Sequence, residues 1–170
     1  MDHVWKAFEA NEVTHSTVHH LMTISQLVDE LGYARVTDVA SRLGITRGSA
    51  CITLKSLEKQ GLVERDTNAF LRLAPRGKFI AQTTHAKKSL LKQFLQDILG
   101  VNEENADIDS CKIEHLMSTE AGHQLCALVH FLTSENPAAK ECMRSFRRFC
   151  RSECQVADCA FCEERCLFAA

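Results

Sequence analysis

Residues 36–62 read VTDVASRLGITRGSACITLKSLEKQGL, and the punctuation of this stretch sets the architecture. Val39, Ala40 and Leu43 fall on one side of a short helix predicted over residues 38–43, with Thr37 as its expected N-cap and Gly44 as the turn that follows. Thr46 then caps a second helix over residues 47–60, whose inward stripe is Ala50, Leu54 and Leu57, and Gly61 ends it. Two short helices about a glycine turn make the helix-turn-helix pattern. Leu62-Val63-Glu64-Arg65, a polar Asp66-Thr67-Asn68 turn and Phe70-Leu71-Arg72-Leu73 predict a β-hairpin directly behind it. The unit is therefore expected to be a winged helix-turn-helix.

Upstream, Val18, Leu21, Ile24, Leu27, Val28 and Leu31 follow helical spacing, which predicts a helix over residues 3–30 that stops at Gly32. Downstream, Pro75 opens a further helical stretch, residues 78–99 are mostly helical, and Gly100 terminates them. Two more helices are predicted over residues 103–117 and 119–132. Their apolar residues exceed what a DNA-reading unit needs, so a dimer surface is expected there. Asn136-Pro137 is the clearest boundary. The expected fold is mostly α: a winged helix-turn-helix domain over residues 1–80, a helical metal-binding and dimerisation domain over 81–136, and a short Cys-rich tail over 137–170.

The composition agrees with a small, loop-poor protein. The chain has 170 residues, 45% hydrophobic, with only 7 Gly and 2 Pro. Its net charge of −2 conceals a local asymmetry. Residues 35–80 hold nine Lys/Arg against four acids, and residues 103–120 hold six acids against one base. A basic segment suits phosphate contact, and the acidic segment after it suits a cation. No apolar run is long enough to span a membrane, and the N-terminus lacks the pattern of a signal peptide. A cytoplasmic location is expected, a reducing compartment in which the nine cysteines favour metal ligation over disulfides, with Cys51 and Cys126 read as small buried packing residues. No nucleophile–base pair, glycine phosphate loop or paired acids point to an enzyme or to a small organic substrate.

In a helix-turn-helix the second helix enters the major groove by its N-terminal end. Thr46, Arg47, Gly48, Ser49, Ile52 and Thr53 are the expected base-facing residues, with Arg47 best equipped for guanine or phosphate. Lys55, Lys59, Arg65 and Arg72 suit backbone contacts, and Thr37 sits at the start of the preceding helix. A single unit reads few base pairs, so a homodimer on a near-palindromic duplex is expected. The bland alternative is a winged helix used as a protein dock.

Cys111-Lys112-Ile113-Glu114-His115 puts a thiol, a carboxylate and an imidazole on one helical face, at spacings of three and four. Sulfur, nitrogen and oxygen together suit a first-row transition metal such as Fe(II), Co(II), Ni(II) or Zn(II) rather than Mg or Ca. Three ligands leave the shell incomplete, so another helix must contribute.

Residues 14–133 resemble the diphtheria-toxin-repressor family of iron- and manganese-dependent regulators. The blocks that carry the resemblance are Gly32-Tyr33-Ala34-Arg35-Val36-Thr37-Asp38-Val39-Ala40, Gln60-Gly61-Leu62-Val63, Leu90-Leu91-Lys92-Gln93-Phe94-Leu95 and Ile113-Glu114-His115-Leu116-Met117-Ser118. The resemblance implies a principal metal site of Met22, Cys111, Glu114 and His115; His19, three residues before Met22, is a further candidate. The soft donors favour Fe(II) over Mn, with Co, Ni and Zn as alternatives. It also implies that the cation ties the first helix to the dimerisation helices. The chain departs from the family's second metal site, where Lys88 and Lys92 replace its His and Glu and Asp107 stands where the iron branch often has another His. One cation per protomer is therefore expected.

The tail runs Cys142-x7-Cys150-x3-Cys154-x4-Cys159-x2-Cys162-x3-Cys166. Its dense, irregular spacing resembles segments that wrap a 4Fe–4S or 2Fe–2S cluster. Cys154, Cys159, Cys162 and Cys166 are the first choice of ligands, with Cys150 and Cys142 as alternates. A structural zinc, a redox dithiol and a metal-free tail are the other readings. The resulting expectation is an Fe(II)-dependent repressor of iron-uptake genes with a cluster as second input. The alternatives are an iron–sulfur electron-transfer module, or a Mn-, Co-, Ni- or Zn-responsive regulator with a zinc tail.

Overall fold

The computed structural model describes residues 14–151. Helix α1 (His15–Leu31) starts where the Thr14 hydroxyl accepts the Thr17 N–H at 3.2 Å, and it ends at Gly32, whose φ is +80°. The predicted start of this helix at residue 3 lies outside the described residues. Helix α2 (Val36–Leu43) and helix α3 (Arg47–Lys59) follow, separated by Gly44 with φ +64°. Thr37 is not the cap of α2. The helix begins two residues earlier, at Val36, because Asp38 reaches back and its carboxylate accepts the Arg35 N–H at 3.3 Å. Thr46 caps α3 as expected, accepting the Ser49 N–H at 3.1 Å.

Strands β1 (Val63–Arg65) and β2 (Leu71–Leu73) pair antiparallel with Val63 opposite Leu73 and Arg65 opposite Leu71. The Leu71 N–H donates to the Ala34 carbonyl at 2.8 Å and fastens the wing to the loop before α2. The core beneath joins Leu21, Ile24 and Leu27 of α1, Val39 of α2, Ala50, Leu54 and Leu57 of α3, and Val63 and Leu71 of the hairpin. The periodicities expected for these segments thus converge on one buried cluster.

Helix α4 (Pro75–Gln93) opens on Pro75 and runs unbroken through residue 80, where a domain boundary was expected. It leaves the hairpin in very close contact: a Cβ on the buried Gly77 would sit 2.1 Å from the Leu62 carbonyl oxygen. Helix α4 then packs against α1, α5 (Glu103–Ile113) and α6 (Thr119–Leu132). Between α4 and α5 the chain widens into one π-helical turn, Phe94–Ile98, before Gly100. The predicted helix over residues 103–117 is shorter, since its regular hydrogen bonding stops at Ile113 and Ser118 already caps α6 by accepting the Ala121 N–H at 3.0 Å. Helix α7 (Pro137–Arg151) begins at the expected boundary and packs on α6. Ile108, Ile113, Leu116, Leu128 and Phe131 leave an apolar surface exposed on and between α5 and α6. Among the described residues no helix is long and apolar enough to cross a membrane.

Candidate metal centre and DNA-reading face

Helical spacing on α1 places His15 and His19 one turn apart on one face. Helix α5 brings Cys111 to them from the other side. The Cys111 sulfur lies 3.2 Å from His19 Nε2 and 3.7 Å from His15 Nε2, and the two imidazole nitrogens are 3.0 Å apart. These three donor atoms all lie within 4.8 Å of one another. The His115 ring stands with its centroid 5.1 Å from that of His15.

Glu114 continues the helical backbone past Ile113, so it remains one turn from Cys111 even though the regular helix has ended. It is fully buried, and neither carboxylate oxygen has a hydrogen-bond partner among the described residues. His115 Nδ1 is likewise buried and unpartnered. Buried polar atoms are almost always satisfied, and an orphaned carboxylate is costly. Among the described residues the mutually close donors are His15, His19 and Cys111, two imidazoles and one thiol that fit a first-row transition metal; Glu114 and His115 stand outside that group, and ligation by them would answer their orphaned atoms.

The electrostatics describe a centre that holds protons when it holds no metal. Burial pushes Glu114 up to about 7, against the pull of the Lys88 ammonium and with a smaller push from Asp107. Burial also raises the Cys111 thiol, helped by Glu114. His19 and His115 are both lowered, first by burial and then by the neighbouring His15. The lowered values of His19 and His115 favour the neutral, ligating imidazole, whereas the raised values of Cys111 and Glu114 favour protonated forms whose protons a metal would displace.

Met22, three residues after His19, is half-buried against the winged-helix core and lines a cleft with Ala81, Gln82 and His85 of α4. His20 is buried, with Nδ1 2.7 Å from the Ser16 carbonyl. Lys88 and Lys92 of α4 face Asp107 of α5 at 3.2 and 3.5 Å, and Lys92 also lies 3.5 Å from Glu103. His15 was missed in the sequence; its signal was the i, i+4 spacing from His19 on a stripe already chosen for ligands. The tail cysteines Cys154, Cys159, Cys162 and Cys166 lie outside the described residues. Cys142 is exposed on α7, and Cys150 follows eight residues later in the same helix. Cys51 and Cys126 are half-buried.

On α3, Arg47, Gly48, Ser49, Ile52, Lys55 and Lys59 are all exposed, opposite the buried stripe, while Thr53 is half-buried. Thr46 and Thr37 are exposed as well. Arg65 pairs with Glu58 at 2.5 Å, so part of its charge is already answered. Arg72 stands in the wing beside Asp66 at 3.6 Å with most of its side chain in solvent.

A profile described as "Iron dependent repressor, metal binding and dimerisation domain" matches residues 74–142, and a MarR family profile matches residues 13–69. The chain is 33% identical over 135 residues to the HTH-type transcriptional regulator MntR of Geobacillus thermodenitrificans, spanning 79% of this chain and 94% of that protein. To the HTH-type transcriptional regulator MntR of Bacillus subtilis it is 31% identical over 135 residues, with the same two shares of 79% and 94%. The crystal structure of T. acidophilum IdeR superposes with a TM-score of 0.57 at 25% identity, covering 65% of this chain and 52% of that one. The chain thus spans about half the length of that structure.

Proposed function

Since the chain belongs to the diphtheria-toxin-repressor and MntR family of metal-dependent transcriptional regulators, and so is no enzyme, we propose that it is an Fe(II)-activated repressor acting as a homodimer on a near-palindromic operator. The observation that carries this reading is Glu114. It is fully buried with both oxygens unpartnered among the described residues, one helical turn from a thiol that touches an imidazole of another helix. His19, Cys111, Glu114 and His115 would hold the cation. Met22 follows His19 on the same stripe of α1 as a thioether donor, and His15 completes the shell. When bound, the cation balances thiolate and carboxylate and cross-links α1 to the end of α5. Helix α1 packs into the DNA-reading core, and α5 and α6 carry the exposed apolar surface suited to a partner subunit. A link between them favours one setting of the two recognition helices and shifts the population toward it.

The lysines refine this picture. Lys88 and Lys92 already join α4 to α5 through Asp107 and Glu103, so that seam closes without metal. The leverage of the cation then falls on α1, and one cation per protomer is sufficient. The nitrogen- and sulfur-rich donors favour Fe(II) over Mn(II). Iron-uptake genes are the corresponding targets.

The tail cysteines are assigned to an iron–sulfur cluster on their spacing. Their spacing favours Cys154, Cys159, Cys162 and Cys166 as the ligands, with Cys150 and Cys142, eight residues apart on α7, as the alternates.

A DNA-shift titration with and without Fe(II), on wild type and on Glu114→Ala, tests the proposal. Binding by wild type with Fe(II) alone is expected, and equal binding in all four conditions rejects the metal switch.

A further inference from the structure

Ile52 is 74% exposed, more than any other large apolar side chain among the described residues. It stands on α3 opposite the buried Ala50, Leu54 and Leu57, in a row with Gly48 one turn before it and Lys55 and Lys59 one and two turns after it, all exposed. An isoleucine centred on a solvated basic face is out of keeping with its surroundings. Gly48 leaves bare backbone beside it: a Cβ there would meet nothing nearer than Thr46 Oγ1 at 3.8 Å. The Thr46 hydroxyl is itself committed, accepting the Ser49 N–H at 3.1 Å and lying 3.0 Å from the Ser49 hydroxyl. The middle of this face therefore offers branched hydrocarbon between cations, with few free hydrogen-bonding groups.

The lysines commit the face to a polyanion, and a helix of this kind fits the major groove. There, base edges present donors and acceptors, and the one apolar group that projects into the groove is the C5-methyl of thymine. Against any other edge, isoleucine would displace water from a polar atom and return no hydrogen bond. We propose that Ile52 is a base-reading residue that selects thymine through its methyl group, with Gly48 giving the helix room to bring it there. This rests on the DNA-binding reading of the same helix. Lys55 and Lys59 hold phosphates along the groove, and Arg47 remains free for guanine or phosphate.

The test uses the full chain loaded with Fe(II) under nitrogen, with Mn(II) and Zn(II) in parallel. Duplexes are selected from a randomised pool, and each thymine of the winning sequence is then replaced in turn by uracil, which removes only the methyl. At one position per half-site, uracil is expected to weaken wild-type binding about fourfold, the effect of one buried methyl-sized group. Ile52→Ala is expected to fold normally, since the site is exposed and alanine favours helix, and to bind the thymine and uracil duplexes equally. Ile52→Gln, put through the same selection, is expected to shift that position to adenine, which glutamine reads with two hydrogen bonds. Uracil tolerated everywhere by wild type, or the same uracil penalty persisting in Ile52→Ala, overturns the proposal. Full affinity and unchanged sequence preference in Ile52→Ala does so too and assigns the side chain to a protein contact. A wild type that enriches no duplex overturns the DNA-binding reading along with it.

Discussion

The Cys111 sulfur on α5 lies 3.2 Å from Nε2 of His19 on α1, across 92 residues of chain. This contact joins the helix that supports DNA reading to the half of the molecule that carries the exposed apolar surface. Replacing the thiol by a harder oxygen keeps its size and removes its softness. Cys111→Ser is therefore expected to lose the sulfur-to-metal charge-transfer absorption that Co(II) gives with wild type. Its affinity for Zn(II) and Fe(II) should fall by about tenfold or more, with a smaller loss for Mn(II). Co(II) spectra and competition titrations check this.

Met22 separates two roles that one side chain can play. Met22→Leu keeps the volume packed against the core and removes the thioether. Thermal stability is expected to change by less than about 1.5 kcal/mol, while affinity for soft cations falls. Melting curves of the metal-free protein, set beside metal titrations, distinguish a ligand from a packing residue. Unchanged metal affinity would return Met22 to the core alone.

Burial raises the Glu114 pKa from 4.5 to about 7. Below pH 4.5 the carboxyl is protonated whether the chain is folded or not, and the group has no effect. Above pH 7 the folded state must hold a buried carboxylate, so stability falls as pH rises through this window, by roughly 3 kcal/mol in full. His19 and His115 act in the opposite sense, since their lowered values withdraw stability as pH falls below 6.5. Glu114→Gln isolates the carboxyl. In the metal-free protein its stability advantage over wild type should grow from pH 4.5 to 7 and then level off, as read by urea denaturation. Metal binding by wild type should release protons and tighten with rising pH, which calorimetry in buffers of different ionisation enthalpy detects.

Lys88 pairs with Asp107 and lies close enough to influence His19, Cys111 and Glu114. Lys88→Met removes that positive charge and leaves Asp107 paired with Lys92 alone. Divalent-cation affinity is expected to rise several-fold at low ionic strength, whereas global stability changes by less than about 1 kcal/mol because the pair is partly solvated. Native mass spectrometry should show one divalent ion per wild-type protomer in addition to any iron and sulfide of the tail cluster.

Gly77 has no room for a side chain, because a Cβ would approach the Leu62 carbonyl oxygen to 2.1 Å, and backbone cannot step aside as a flexible side chain can. Gly77→Ala is expected to cost about 3 kcal/mol or more in chemical denaturation. It should also weaken DNA binding by displacing the wing from α4.

Much of the fold is legible in local pattern. Thr46 as a cap, Gly44 and Gly61 as turns, Ala50, Leu54 and Leu57 as an inward stripe, and Pro75 as a helix start all express preferences that act within a few residues. Where such preferences compete, the sequence misleads. Thr37 resembles a cap, but Asp38 closes the helix start from inside, and the helix expected to reach residue 117 ends at Ile113 because Ser118 is already capping the next one. The Cys111, Glu114 and His115 face was readable for the same local reason, three residues within one turn.

By itself the sequence determined which side chains share a face of each helix, since helical period alone decides that, and it determined the order of helix, turn, helix and wing. Only the tertiary structure decided that His15 and His19 meet Cys111, that Glu114 is sealed away with no partner among the described residues, and that Lys88 and Lys92 close on Asp107. These are relations between helices far apart in the chain. They are set by how the buried stripes pack and by close approaches such as Gly77 on Leu62, and no period within a single segment encodes them.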